Sequence, residues 1–496
     1  MSDSFKDTLC ALHNRPETEW QRRGDAFMLK LFRDTAKNVP AYKAFLRSHG
    51  VTPGSIRDIA TFKKEIPLVS KENYLKVYPL NELLPAGDIA GAQMISTSSG
   101  SSGIPFYWPR STHNIDEAAL IHELFLVDIF HINKKRTLLV NTFAMGMWVA
   151  GTTTFESVSR IADKYRITMV TPGIDMEQIL TTINALGKYY EQIIIAGYPP
   201  FVKDIIDIGK ERGIKWQKLN VRFLFAAESF SEDWREHMHK LVGCKDPLSG
   251  SINIYGTADA LLVAHETPLS ILIRKLATKS GRLHKKLFGP DLRIPTLAQW
   301  NPSMRYFEEL PDAKIIFSAN SGIPLIRYDI GDTGNILHIK ETADLLRSEG
   351  VDLKHEAKVH NISRTLWNLP ILTIYGRDRM TASLYGLKIY PEHVRGALEG
   401  KTGSKYATGR FVMTTKLDAD RNQYLEIHIE LHSKIQSNKK IIEHLQMIML
   451  KQLRAVNSEF KRLHESLGER AVPKIVLHQN QTSSLFSRKG KQVWKG

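Results

Sequence analysis

Between residues 136 and 260, short apolar runs alternate with amphipathic ones. This rhythm restricts the fold more than any other feature of the 496-residue chain. RTLLVNTF is followed by a helical pattern through FESVSRIADK, and YRITMVTPG by DMEQILTTINALGKYY. EQIIIAGYP leads to PPFVKDIIDIGKERG, VRFLFAAE leads to SEDWREHMHKLVG, and SINIYGTAD closes the series. Parallel strands need a crossover between them, and a helix supplies it. Five β-type runs joined by four helical ones therefore predict an α/β fold, a parallel sheet flanked by helices. In such sheets ligands sit beyond the carboxyl ends of the strands. Those ends are Met145-Gly146, Thr171-Pro172-Gly173, Gly197-Tyr198-Pro199, Ala227-Glu228 and Tyr255-Gly256-Thr257-Ala258-Asp259. They collect small and polar residues where a site is expected.

Upstream lies Ser96-Thr97-Ser98-Ser99-Gly100-Ser101-Ser102-Gly103-Ile104-Pro105, with six hydroxyl side chains and two glycines in ten residues. Such a run buries no core. Its hydroxyls and free N–H groups can converge on one anion, most naturally a polyphosphate. A flexible Ser/Gly connection is the alternative on composition alone. Its place just before the alternating region favours the first reading.

Residues 1–95 read as mostly helical, with AFMLKLFRDTAKN at helical spacing ending before Pro40. Residues 261–310 leave the alternation and hold a basic cluster (Arg274, Lys275, Lys279, Arg282, Lys285, Lys286), read as a solvated helix face or an anion-binding patch. KIIFSANSGIPLIRYDIGDTGNIL predicts a β-rich subdomain over 314–340, with an arginine and two acids beside glycines. From about 376 the texture changes. SLYGLKIYP, RFVMTTKL, YLEIHIEL and KIVLHQ read as strands, while EHVRGALEG and the long 437–464 run read as helices. This predicts a large domain over 1–375 and a smaller α+β domain over 376–496, with IYGRDRMT as a hinge.

The formal charge of +16 favours anionic partners without choosing among them. No nucleic-acid motif accompanies it, so no nucleic-acid partner is expected, and a non-catalytic nucleotide- or nucleic-acid-binding protein is only a third reading. Two cysteines, no basic-then-apolar amino terminus and no apolar run of ~18 residues predict a cytoplasmic chain without signal peptide or membrane span. Gly400-Lys401-Thr402 spells the end of a P-loop, but the position five before Gly400 is Arg395. His355 and His360 are five apart rather than four, so no zinc is predicted.

Taken in order, the motifs resemble those of the adenylate-forming ligases, in particular the phenylacetate–CoA ligase-like branch, over nearly the whole chain. SSGSSGIP resembles the phosphate loop SSGTTGKP, and AAE at 226–228 resembles G(A/G)E. NIYGTAD resembles D-x-YG-x-(S/T)-E, and IPLIRYDIGD resembles P-x-IRYR-x-x-D. YGRD, YGLKIYPEHV and RKGKQ resemble the motifs of a mobile carboxy-terminal domain and its terminal GK. The resemblance implies a two-step reaction. ATP and a carboxylic acid give an acyl-adenylate and pyrophosphate, and an acceptor, most often the thiol of coenzyme A, then takes the acyl group. An amine, hydroxyl or carrier-protein acceptor is the alternative, and a homodimer stays open.

By resemblance, Ser98, Ser99, Gly100, Ser101, Ser102 and Gly103 hold the β- and γ-phosphates. Ala227 and Glu228, with Tyr255, Gly256 and Thr257, border the adenine and α-phosphate. Asp259 stands where the family places a magnesium-ligating glutamate, and Asp332 where an aspartate grips the ribose. Arg377 matches an arginine near the ribose, and Lys491 the lysine that bridges carboxylate and α-phosphate. Tyr198 is expected in the acyl pocket. Three departures stand out: Ile104 replaces the loop lysine, Ala258 replaces a hydroxyl, and Asp259 is one methylene shorter than glutamate.

Overall fold

The five runs of the alternating region form five parallel strands, and four more strands extend them into a nine-stranded sheet. The computed structural model describes residues 2–98, 106–289, 294–377, 382–400, 402–480, 482–483 and 485–486. Across the sheet the strands run Ile336–Leu337, Ile371–Ile374, Thr296–Gln299, Leu261–His265, Ser251–Thr257, Val221–Ala226, Gln192–Gly197, Thr137–Asn141 and Ile167–Val170. From Ser251–Thr257 to Ile167–Val170 the pairing is parallel. The remaining four strands pair antiparallel.

Side-chain alternation assigns the two faces. Leu138, Ile193, Ile195, Phe223 and Phe225 point to one, packing with the helices Met176–Leu186, Pro199–Glu211 and Glu232–Val242. Leu139, Ile194, Ala196, Leu224 and Ile252 point to the other, packing with Thr112–Asp128 and Pro268–Lys279. Both faces are dry, which is why these strands read as continuous apolar runs. Side-chain caps start two of the crossover helices: Asp175 accepts from the Gln178 amide and Ser231 from the Trp234 amide.

Residues 261–310 differ from expectation. Leu261–His265 and Thr296–Gln299 are sheet strands, and Arg274 is buried rather than solvated. Its guanidinium donates to the Pro295 carbonyl and ion-pairs with Glu232. A second sheet joins Arg305–Leu310, Lys314–Ser321, Asp332–Thr333 and Gly376–Arg377, with Ile323–Tyr328 on Lys314–Ser321. Gly322 turns this hairpin at φ +88°, where an added Cβ would meet the Pro109 carbonyl oxygen at 2.0 Å. The amino-terminal helices pack on this sheet through Phe32, Tyr42, Phe62 and Tyr74.

The carboxy-terminal lobe has a three-stranded sheet, Ala407–Leu417, Gln423–Leu431 and Lys474–His478, the last strand parallel. The stretch SLYGLKIYP is a hairpin, Ala382–Leu384 with Leu387–Ile389, turning at Tyr385 and Gly386 in the positive-φ region. The 437–464 run is two helices, Lys439–Val456 and Ser458–Leu467, broken at Asn457. Asn457 is buried; its Oδ1 accepts from the Phe460 amide and its amide donates to the Lys388 carbonyl. A cap bonded this way competes with helix continuation. Among the described residues no helix is long and apolar enough to cross a membrane.

Replacing Asn457 with Ala removes the cap and leaves the Lys388 carbonyl without this donor. The expected cost is about 1–2 kcal/mol. It should be read as faster hydrogen exchange of the amides of Ser458–Leu467 than in the parent chain.

Candidate active site

A cavity of about 640 Å³ opens at the carboxyl ends of the parallel strands, where Tyr198, Ala227, Glu228, Tyr255, Gly256 and Thr257 line it. Thr97, Asp259 and Asp332 border the same space. Residues predicted from segments more than a hundred positions apart therefore meet. Ala227 sits at φ 74°, a left-handed conformation costly for a residue with a Cβ, and this turns the chain sharply where Glu228 enters the site.

Asp259 is 1% exposed, and its carboxylate is held by groups from two distant segments. The Tyr328 hydroxyl donates to Oδ2 at 2.6 Å, and Lys71 Nζ lies 3.4 Å from Oδ1. Arg110, fully buried, donates to the carbonyl oxygens of Ala258, Asp259 and Ser321 and so fixes the backbone that carries the carboxylate. Burial pulls the Arg110 guanidinium down to about 9, with the Asp259 charge acting in the opposite direction. Lys71 also lies 5.9 Å from the centre of the Trp108 ring. Ser70 and Asn73 exchange hydrogen bonds across the turn that carries it.

Asp332 is buried and accepts a hydrogen bond from the Tyr255 hydroxyl. Its backbone pairs with Arg377, which brings Arg377 beside it; the side chain of Arg377, like that of Ser98, lies outside the described residues. Ser98 ends the strand Met94–Ser98, whose partner begins at Phe106. Ser99, Gly100, Ser101, Ser102, Gly103 and Lys491 also lie outside the described residues. Thr257 Oγ1 accepts from the Ala260 amide, closing the turn that leads to Asp259.

Glu228 faces the carboxy-terminal lobe. Its Oε1 accepts from the Ser383 hydroxyl at 2.9 Å and from the Gly386 amide, and its Oε2 from the Gln423 side chain at 2.6 Å. Its own carbonyl accepts from Asn253, whose amide donates in turn to Glu266. Glu266, Arg235, Glu232 and Arg274 continue as a buried ion network behind the site. Gly386 lies flat on the Tyr198 ring: an added Cβ would be 2.6 Å from a ring carbon. Burial, with the charges of Glu459 and Glu228, pushes the Tyr198 phenol up and keeps it protonated. Further pairs clamp the lobes, Lys203 on Asn422, Arg470 on Asp204 and Ser466 on the Ile174 carbonyl.

Lys71, Arg110, Tyr328, Ser383 and Gln423 were not singled out from sequence. Only Lys71 had a local signal, the Ser70-x-x-Asn73 spacing that fixes its turn behind the buried Val69. The others reach the site through long-range packing.

This is the fold of the adenylate-forming ligases. The chain overlays a 2-hydroxyisobutyryl-CoA ligase solved with 2-HIB-AMP and CoA in the thioesterification state, with a TM-score of 0.66 at 13% identity, covering 98% of this chain and 91% of that one. The same ligase in the postadenylation state with 2-HIB-AMP gives 0.56 at 12% identity over the same shares. The acyl acid amido synthetase AtGH3.15, in complex with 2,4-DB, gives 0.50 at 13% identity, over 96% of this chain and 94% of that one. No protein-family model and no curated protein matches the sequence.

Arg110→Met would strip the buried carbonyls of Asp259 and Ser321 and the half-buried one of Ala258 of their donor, and Asp259 of a neighbouring charge. Chemical denaturation should show a loss of about 3 kcal/mol or more.

Proposed function

We propose that the chain is an ATP-dependent carboxylate ligase that forms an acyl-adenylate, releases pyrophosphate and passes the acyl group to coenzyme A, in the manner of the phenylacetate–CoA ligase-like branch. The observation that supports this best is the meeting of Asp259, Asp332, Tyr255, Glu228 and Tyr198 around one cavity, in a fold shared with a CoA ligase over 98% of the chain.

A carboxylate and a triphosphate repel each other, so activation requires positive charge and many donors held in place before reaction. In this reading the run from Ser98 to Gly103 cradles the β- and γ-phosphates. Asp332 accepts from the ribose hydroxyls, with Arg377 beside it. Ala227, Tyr255, Gly256 and Thr257 border the adenine and α-phosphate. Lys71 supplies a cation at the cavity wall where Ile104 replaces the loop lysine of the resemblance. Tyr198 faces the acyl group. Lys491 bridges carboxylate and α-phosphate during adenylation.

Magnesium enters as the counterion of ATP. Direct ligation by Asp259 fits poorly, because one oxygen holds the Tyr328 hydroxyl and the other faces the Lys71 ammonium. Docking of Ser383, Gly386 and Gln423 on Glu228 supports the transfer half of the cycle as the arrangement seen here. The higher overlay with the thioesterification-state ligase agrees with it. Transfer to an amine, as an amide-forming ligase, is the second reading, favoured by the likeness to an acyl acid amido synthetase.

Pyrophosphate exchange into ATP should appear with at least one acid in a panel of aryl and fatty acids. Absence of exchange with every acid, despite ATP binding, removes the assignment. Lys491→Ala should lower exchange about 100-fold or more while transfer from supplied acyl-adenylate changes little. Equal losses in both would refute its role.

A further inference from the structure

Four carboxylates line the cavity, and one stands apart. Glu228, Asp259 and Asp332 each accept hydrogen bonds from neighbouring groups. Glu459, half-buried in the first turn of the helix Ser458–Leu467, receives no hydrogen bond and forms no ion pair among the described residues. A carboxylate kept partly out of water without a donor is costly unless a ligand satisfies it. Its position is informative. Asp332 and Tyr255 come from the amino-terminal part, where the adenylate would lie. Glu459 comes from the carboxy-terminal lobe, which also lines the cavity through Ser383, Gly386, Lys388, Tyr390 and Gln423.

We propose that Glu459 takes the proton from the attacking atom of the acyl acceptor in the transfer half-reaction. This rests on the ligase reading above. The acceptor's S–H or N–H proton passes to a Glu459 oxygen as its sulfur or nitrogen bonds to the acyl carbon. The bond from that carbon to the phosphate oxygen breaks, and AMP leaves with the electron pair. No oxidant or reductant is involved, and the protonated carboxyl returns its proton to water.

The electrostatics suit the task. Burial raises the Glu459 carboxyl to about 7, with the Lys388 charge acting in the opposite direction. A base with that affinity is half ionised near neutral pH, where proton transfer is most effective. The carboxy-terminal lobe's other titratable lining groups are Lys388, Tyr390 and Lys416, and the amino-terminal part contributes Lys71, His122, Tyr198, Glu228, Tyr255, Asp259, Asp332 and Tyr375. Helix N-termini favour anions, so the first turn offsets part of the desolvation.

The test uses the full chain and the acid giving the fastest pyrophosphate exchange. Enzyme-bound acyl-adenylate is formed in a single turnover, then mixed with CoA, pantetheine or glycinamide. The parent chain should transfer to at least one probe, at a rate that rises with pH and levels off above about 7. Glu459→Gln should keep exchange within about twofold, which also reports correct folding. Its transfer should fall about 100-fold at pH 7, lose the inflection and recover only towards the probe's own pKa, ~8.5 for a thiol or ~8 for the amine. Glu459→Asp should retain the inflection. Unchanged transfer in Glu459→Gln, or equal loss of exchange and transfer, overturns the assignment while leaving the ligase reading intact. Parent exchange without transfer to any probe also overturns it. No exchange with any acid removes the ligase reading first.

Discussion

Burying the Asp259 carboxylate is the constraint around which the amino-terminal part is built. An ionised group taken out of water costs several kcal/mol unless partners replace the lost hydration. The partners come from far away in sequence: Lys71 from a capped turn and Tyr328 from the second sheet, while Arg110, on the strand Phe106–Arg110, holds the Asp259 backbone carbonyl. Satisfying this carboxylate and the backbone that carries it therefore fixes the positions of three segments relative to the end of the strand Ser251–Thr257. Arg110 adds the Ser321 carbonyl, so the tight turn at Gly322 belongs to the same assembly.

Glu228 does for the two lobes what Asp259 does within one. It leaves the strand Val221–Ala226 through the strained turn at Ala227 and meets three donors of the carboxy-terminal lobe. Behind it, Asn253 and the buried network of Glu266, Arg235, Glu232 and Arg274 hold the backbone. A buried network of this kind adds little net stability but penalises any displacement of its members, because each would leave a charge unpaired. Rigidity on the sheet side presents those three donors with a fixed carboxylate.

The parallel core was legible because each unit is local: an apolar run, a capped helix, the next run. The cavity was legible for the same reason, since strand ends can be marked on the sequence and Tyr198, Glu228, Tyr255 and Asp259 all reach it, while Asp332, which also lines it, was pointed to by the resemblance. The antiparallel half was not. Leu261–His265 and Thr296–Gln299 are defined by partners, and Ile371–Ile374 joins Thr296–Gln299 from about seventy residues away. Within the basic stretch Arg274 was misread, because its burial depends on Glu232, forty-two residues earlier, while Lys279, Arg282, Lys285 and Lys286 are exposed as read. The break at Asn457 hid inside a continuous helical period, since its cap reaches across to the Lys388 carbonyl. Lys71 was overlooked because a lone lysine carries no sign of the carboxylate it faces.

The flat contact between Gly386 and the Tyr198 ring has a mechanical meaning. The separation of the lobes at this point is smaller than a single methyl group requires. There is no room on this turn for a side chain: the tyrosine ring occupies the place where a Cβ would stand. How near the Ala382–Ile389 hairpin comes to the strand-end tyrosine is thus set by one missing carbon atom.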